Sequence, residues 1–367
     1  MVLGESNTNK KSVVVLGGGS AGIAVAQALH ETKSFSVTLV DRKAYHEIPW
    51  ANVRAYTVDY SITAKSTVPW KDIPKLGEVT VGEVVSVAGG SVSLKSGLSV
   101  PYDYLVFAMG SHFREPLCKG LEGTAADRAS EMQLANEKLK AAKSVLIVGG
   151  GAVGVEVAGE IASVLPDKQI TLVHSKSQLL VDDKPRMSNN AVHWLKKHNV
   201  KLILDDKLDG SQQGPHYTTE KGVQIQADIV YWTVGLIPST AFLKSENILD
   251  GKGFIKVDMH FRVEGHPNWF AVGDCNNIPE IKLGYLAQGQ GKQLAQELKQ
   301  LAVSDTFPGK IKPWKLQGGF RAMIISLGKD NGVGHIGPVP IWGWAPAKIK
   351  SGDLFISKTR KDIGLPA

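Results

Sequence analysis

The stretches "VVVLGGGSAGIAVAQAL" (Val13–Leu29) and "VLIVGGGAVGVEVAGEI" (Val145–Ile161) write one pattern twice in a chain of 367 residues. In each, a short apolar run suited to a buried parallel strand meets a cluster of glycines, then small and apolar residues suited to a helix. A second apolar strand follows each copy, "VTLVD" at Val37–Asp41 and "ITLVH" at Ile170–His174, so both are βαβ units. The second helix is predicted over about Val153–Leu165, stopped by Pro166. In Gly17-x-Gly19-x-x-Gly22 the first glycine makes the tight turn, the second lets backbone approach a pyrophosphate, and the third lets the helix lie against the strand. Gly149-x-Gly151-x-x-Gly154 repeats the arrangement. Unpaired N–H groups at each helix start favour the anion.

The repetition reaches beyond the glycines. Each unit is followed by an apolar strand ending in glycine, "YLVFAMG" closing at Gly110 and "IVYWTVG" closing at Gly235. A further strand, "NWFAVGD" (Asn268–Asp274), arrives only after the second copy, which predicts that the second domain is inserted into the first. The expected class is α/β, with two Rossmann-like domains in a glutathione-reductase-like arrangement and a small α+β C-terminal unit. The expected boundaries are 11–115 with 236–306 for the first domain, 116–235 for the second and 307–367 for the third. Leucines at 283, 286, 294, 298 and 301 predict a helix packed on one face over Leu283–Ala302. Pro308 and Pro313 mark a break, and "AMIISLG" and "VGHIG" predict a hairpin turning at Asn331-Gly332.

Composition excludes several classes. With 43% hydrophobic and 21% charged residues the chain is an ordinary globular protein. Cys118 and Cys275 are far apart, so neither a disulfide framework nor a dithiol relay is expected. No apolar run approaches the roughly 18 residues needed to cross a bilayer, and "MVLGESNTNKK" lacks the apolar region of a signal peptide. The formal charge of +7 favours an anionic partner without choosing among nucleotide, anionic membrane and nucleic acid. No metal site is assigned.

Asp41, 19 residues beyond Gly22 at a strand end, is placed to accept hydrogen bonds from ribose hydroxyls. The matching position of the second copy, 20 residues past Gly154, is His174, followed by Ser175 and Lys176. No carboxylate there repels a 2′-phosphate, so NADPH is expected alongside NADH; the plain alternative is that His174 caps a strand. Two dinucleotides in adjacent domains imply a hydride passing from a nicotinamide to a group that hands electrons on, which a flavin does.

The pattern resembles the two-dinucleotide-binding-domain flavoprotein superfamily: a first fingerprint for FAD, a strand end at Ala108-Met109-Gly110, a second fingerprint for NAD(P)H and a late Gly273-Asp274. Within it the chain resembles the ferroptosis suppressor protein family of apoptosis-inducing factor-like flavoproteins. The likeness is carried by "VGGGAVGVEVAGEI", "TLVHS", "VEGHPNWFAVGDC", "KLGYLA", "SLGKDNGVGHI" and "SGDLFIS". It implies an NAD(P)H:quinone oxidoreductase that reduces ubiquinone or vitamin K type quinones to radical-trapping hydroquinones and so suppresses lipid peroxidation and ferroptosis. Ala287-Gln288 looks like the pair lining the quinone site of the related type II NADH dehydrogenases. The N-terminal myristoylation of family members needs glycine at position 2, where this chain has Val2.

For FAD the resemblance implies Gly17, Gly18, Gly19, Ser20, Ala21, Gly22, Asp41, Arg42, Lys43, Arg54, Val84, Ala108, Met109, Gly110, Gly273 and Asp274, the last on the ribityl chain. Lys282, Leu286 and Ala287 are added where a helix N-terminus is expected to meet the flavin. For NAD(P)H it implies Gly149, Gly151, Val153, Gly154, Glu156, His174, Ser175 and Gly235.

Glu156, Lys282 and Tyr285 are the candidate catalytic residues. Glu156 is read in the first helical turn, either as a carboxylate favoured by the helix dipole or as the group aligning nicotinamide and flavin. Lys282 and Tyr285 are expected beside the flavin, the alternatives being an exposed lysine and a core aromatic. "VPIWGWAPAKIKSGDLFISKTRK" interleaves Trp342, Trp344 and Phe355 with Lys348, Lys350, Lys358, Arg360 and Lys361, which suits a bilayer interface; otherwise the tryptophans pack in a core. The expected setting is cytoplasmic, at a membrane or lipid-droplet surface, with a homodimer left open. The competing readings are a reductase of a small redox protein or ascorbate radical, and a non-catalytic apoptosis-related DNA-binding flavoprotein. The sequence shows no basic stripe or nucleic-acid motif for the second.

Overall fold

A computed structural model describes residues 10–32, 34–121, 123–181, 184–304, 307, 310–316 and 321–367. Pro308, residue 306 and the stretch before Lys10 lie outside the described residues. Strand β1 (Lys11–Leu16) is central in a parallel sheet, which explains its unbroken run of apolar residues. Val13 and Val15 enter one core while Val14 and Leu16 enter another, because successive side chains leave a strand on opposite faces. Helix α1 (Ser20–His30) crosses to β2 (Phe35–Asp41), which pairs with β1 from Lys11↔Phe35 to Leu16↔Val40. Helix α2 (Pro49–Thr57) follows, begun by the fixed φ of its proline. Strand β3 (Glu78–Val81) pairs with β2, and β4 (Tyr104–Phe107) pairs with the other side of β1.

The second unit opens with α3 (Ala125–Ala141), capped by a reciprocal Thr124–Asp127 box. Strand β5 (Ser144–Val148), helix α4 (Ala152–Val164) and strand β6 (Gln169–Val173) then repeat the first βαβ, and α5 (Pro185–Lys197) leads to β7 (Lys201–Ile203). With β8 (Ile229–Trp232) they form a parallel sheet in the order β7-β6-β5-β8. Val145 and Ile147 face one core and Leu146 and Val148 the other, as in β1.

Strand β9 (Trp269–Ala271) returns beside β4, so the first sheet reads β9-β4-β1-β2-β3 and the second unit interrupts it. Helix α6 (Gly284–Ser304) lies on α1, closely enough that a Cβ on Gly291 would stand 2.4 Å from the Ala21 carbonyl oxygen.

The C-terminal strands β10 (Ala322–Ser326), β11 (Gly332–Ile336) and β12 (Val339–Trp342) form an antiparallel sheet, and α7 (Ile356–Asp362) follows. Among the described residues this part has no separate core. Met323, Ile325, Leu327 and Val333 belong to the core of the second unit and Ile363 to that of the first. Three short strands bury too little by themselves, so they dock. The hairpin is present, but Asn331-Gly332 is not its turn. Gly332 opens β11, where a Cβ would meet the Ile325 carbonyl and Pro346 at 2.8 Å, and the positive φ, +74°, is at Gly328. Close approach, rather than turn conformation, explains that glycine.

Candidate active site

The first glycine turn ends β1 and begins α1. Gly17 has φ +100°, and a Cβ there would stand 2.5 Å from the Ala108 carbonyl oxygen; one on Gly22 would stand 1.9 Å from the Gly17 oxygen. A Cβ on Gly19 would meet nothing within 4 Å, so that position opens onto free space in front of a helix start with no side-chain cap. This free space is the cradle a pyrophosphate requires. Both Asp41 oxygens are engaged by backbone, Oδ2 accepting from Gly18 N at 2.7 Å and Oδ1 from Lys43 N at 2.8 Å. Together they line a groove of about 420 Å³ that runs past Arg42, Val84, Met109 and Gly110 to Ser111 and Lys119. Asp274 stands behind its far end, accepting from Ser111 Oγ at 2.9 Å and lying 3.4 Å from Lys119 Nζ. The fold of the strand ends, the cradle and the carboxylate fit an FAD.

Several expected contacts take other places. Ser20 faces a second, apolar cavity, and Ala21 is buried against α6. Lys43 reaches the groove, but its ammonium is held by Glu47 at 2.5 Å. Arg54 is outside the groove: its guanidinium forms a buried fork on Glu160, Nε to Oε2 at 2.7 Å and Nη2 to Oε1 at 2.8 Å. A charge on the inward face of α2 is held by the carboxylate facing it, not by a phosphate. Lys282 is half-buried, donating to the carbonyls of Asn276 at 2.8 Å and Ile278 at 3.2 Å, and burial holds its pKa below the ordinary lysine value. Its ammonium therefore braces a loop and does not reach the groove.

Sequence reading missed three groups here. His46 is buried between the groove and the apolar cavity; its Nδ1–H donates to the Gly18 carbonyl at 2.9 Å, and its Nε2 has no partner. Burial pushes its pKa down to about 4, so the ring is neutral near pH 7. Glu47 is buried too; burial raises its carboxyl, but Lys43 and Arg128 outweigh this and hold it below the ordinary value. Trp70 roofs the turn, where a Cβ on Gly18 would strike its ring at 2.2 Å. No local motif announces any of them.

The second turn copies the first. Gly149 has φ +117°, a Cβ on Gly154 would stand 1.8 Å from the Gly149 oxygen, and one on Gly151 would meet nothing. His174 takes the place of Asp41: its Nδ1 accepts from Gly150 N at 3.0 Å, and burial lowers its pKa. Ser175 and Lys176 are exposed beyond it, Val153 packs against the core, and Gly235 has φ +74° after β8.

Glu156 lies past the first turn of α4, so a dipole-stabilised carboxylate does not describe it. It is buried, accepting from Lys350 Nζ at 2.5 Å and from Ser326 N at 3.1 Å. Lys350 also donates to Ile324 O at 2.9 Å and is one wall of the apolar cavity, so it is not an interface cation. That cavity, about 450 Å³, lies between α1, the start of α6, β10 and the C-terminal segment, with Ile23, Trp50, Tyr285, Met323 and Phe355 in its walls. Tyr285 is therefore a wall residue, half exposed, and not a core aromatic. Leu286 and Ala287 are buried at the start of α6, and Gln288 faces the cavity. Trp342 and Trp344 are 53% and 69% exposed, which removes the core-packing alternative; neither lines the cavity. Both cysteines are free and buried, burial pushing Cys118 up to about 12 and Cys275 up to about 11. Among the described residues no cluster could hold a metal ion, and no helix is long and apolar enough to cross a membrane.

Comparison with known proteins agrees with this geometry. Residues 11–291 match the pyridine nucleotide-disulphide oxidoreductase family. The chain is similar to apoptosis-inducing factor homolog B of Dictyostelium discoideum, 33% identical with 98% of each protein covered. It is also similar to ferroptosis suppressor protein 1 of Xenopus laevis, 30% identical with 96% of each covered. In fold it is similar to the sulfide:quinone oxidoreductase of Aquifex aeolicus, with a TM-score of 0.78 at 18% identity over 97% of this chain and 92% of that one. The chain belongs to the pyridine nucleotide-disulphide oxidoreductase family, as a relative of the ferroptosis suppressor proteins and apoptosis-inducing factor homologs.

Proposed function

We propose that this FAD-dependent NAD(P)H oxidoreductase passes the electrons of NAD(P)H to a lipophilic quinone, of the ubiquinone or vitamin K type, bound in the apolar cavity. The observation that carries the reading is the cavity itself. It shares His46 with the groove, and its wall residue Lys350 bonds Glu156 of the second unit, so it lies against the first nucleotide unit and is joined to the second through that ion pair. In this assignment residues 11–115 with 236–306 hold FAD, and 116–235 hold NAD(P)H. The glycine turns seat the pyrophosphates, and Asp41 takes ribose hydroxyls on the lone pairs its two backbone contacts leave free. The net reaction is NAD(P)H, a proton and quinone giving NAD(P)⁺ and hydroquinone. FAD held at the first glycine turn and Asp41 would supply the two-electron redox chemistry that links nicotinamide to quinone.

The chain's own groups manage position and protons. Lys350 Nζ, held by Glu156 and the Ile324 carbonyl, presents a fixed positive donor in the cavity wall, where it stabilises negative charge developing on a quinone oxygen. Ile23, Met323 and Phe355 exclude water from the same space. The buried, separated cysteines favour no dithiol chemistry. Hydroquinones trap radicals, which supports a role in limiting lipid peroxidation. Trp342 and Trp344, with Lys348 stacked 5.1 Å over the Trp344 ring, support peripheral attachment to an anionic bilayer.

The test is steady-state NADH oxidation by flavin-loaded protein with a short-chain ubiquinone, menadione, a ferredoxin or ascorbate radical as acceptor. Quinones are expected to turn over fastest; faster turnover with ferredoxin or ascorbate radical overturns the reading. Trp344→Ser is expected to weaken flotation with anionic liposomes severalfold at unchanged rates with soluble quinone.

A further inference from the structure

Helix α4 carries two buried carboxylates one turn apart, and each meets a cation from a different part of the chain. Glu156 bonds Lys350 of the C-terminal segment; Glu160 bonds Arg54 of α2, in the first unit. The Arg54 and Glu160 side chains are only 8% and 2% exposed. Val53, beside Arg54, packs into the core of the second unit, so α2 is the surface on which the units dock. The fork between planar guanidinium and carboxylate holds both sliding and rotation of α4 against α2, which a point charge does not. The same helix begins at the second glycine turn, so its position sets where a bound nicotinamide lies relative to the groove.

We infer that Arg54 and Glu160 are a positioning pair: their fork fixes α4 against α2 and thereby sets the alignment of nicotinamide with flavin for hydride transfer. This rests on the cofactor order proposed above. It assigns Arg54 a part in the reaction through Glu160, without contact to either cofactor. Misplacement of reacting groups by about 1 Å lowers a rate about 100-fold, while ground-state binding of the nucleotide at its own turn is untouched.

The test uses the full-length, flavin-loaded protein and two variants. Arg54→Lys keeps the charge and removes the fork. Arg54→Met/Glu160→Leu removes both charges, leaving no buried ion unpaired. Three quantities are followed under anaerobic conditions: the rate of flavin bleaching by saturating NADH, the dissociation constant for NADH, and the long-wavelength charge-transfer absorption of nicotinamide stacked on flavin. Thermal unfolding reports stability separately. Arg54→Lys is expected to bleach about 100-fold more slowly and to lose the charge-transfer band at unchanged NADH affinity. The double variant is expected to unfold near the wild-type temperature while still lacking the band and the rate. Band and rate retained in Arg54→Lys, or regained in the double variant, overturn the inference and show a pair that only stabilises the fold. Wild-type flavin that NADH fails to bleach overturns the cofactor order as well, and so identifies a different failure.

Discussion

The two glycine turns have nearly the same backbone: Gly19 sits at φ −75°, ψ −173°, and Gly151 at φ −78°, ψ −171°. Their surroundings differ in chemistry. Two residues past the third glycine the first helix has Ala24 and the second Glu156; four further on they have Ala28 and Glu160. The alanines wall the apolar cavity, whereas the glutamates anchor Lys350 and Arg54. At the end of the second strand, Asp41 accepts the glycine N–H with a carboxylate and His174 with a neutral ring nitrogen. In the proposed assignment one copy holds a nucleotide beside an apolar space, and the other presents a nucleotide across a charged joint. Duplicated backbone gives two phosphate cradles, and a handful of side chains gives them separate tasks.

Breaking each cradle alone is the strongest way to probe that difference. Gly19 and Gly151 both have φ values open to any residue and free space where a side chain would go. Gly19→Val is therefore expected to yield folded protein that purifies without flavin. Gly151→Val is expected to remain yellow and to lose roughly 100-fold or more in NADH-driven bleaching. Absorption spectra and circular dichroism of the purified variants check both.

The next effect concerns the two histidines, whose Nδ1 atoms face glycine backbone with opposite roles. His46 donates to Gly18 O and His174 accepts from Gly150 N–H. For His46 the folded pKa of about 4 lies below the ordinary 6.5, so between those values the unfolded chain binds the extra proton. Its contribution to stability is full above pH 6.5 and is lost as pH falls toward 4, about 3 kcal/mol in all. Urea unfolding at pH 7 and pH 4 is expected to show that loss, and His46→Gln to flatten it. A smaller effect is expected from His174→Asp, which restores the carboxylate of the first copy. The ratio of NADPH to NADH affinity is expected to fall about tenfold, measured by equilibrium binding.

The glycine turns and the place of Asp41 could be read from the chain because each is a local pattern with a local cause, and the return of β9 to the first sheet because its apolar run arrives only after the second unit. Glu156 was also visible, but its partner was not: Lys350 lies 194 residues away and read as one cation in an interfacial cluster. Arg54 reads as an FAD contact because nothing near it in sequence shows that α2 turns that face to α4. His46 carries no motif at all, since its role comes from being enclosed between two spaces formed by distant segments. Asn331-Gly332 has turn chemistry, yet close packing under Pro346 explains its glycine. Local conformation was legible; pairing of buried charge across elements was not, because it depends on docking.

An anaerobic titration asks whether two nucleotide sites act in series on an apolar acceptor. The visible flavin band of the purified protein is followed through stoichiometric NADH and then short-chain ubiquinone. The band is expected to disappear with NADH and to return in full with quinone, both within a catalytic turnover. A protein without bound flavin, or a reduced flavin that quinone leaves bleached, contradicts action in series.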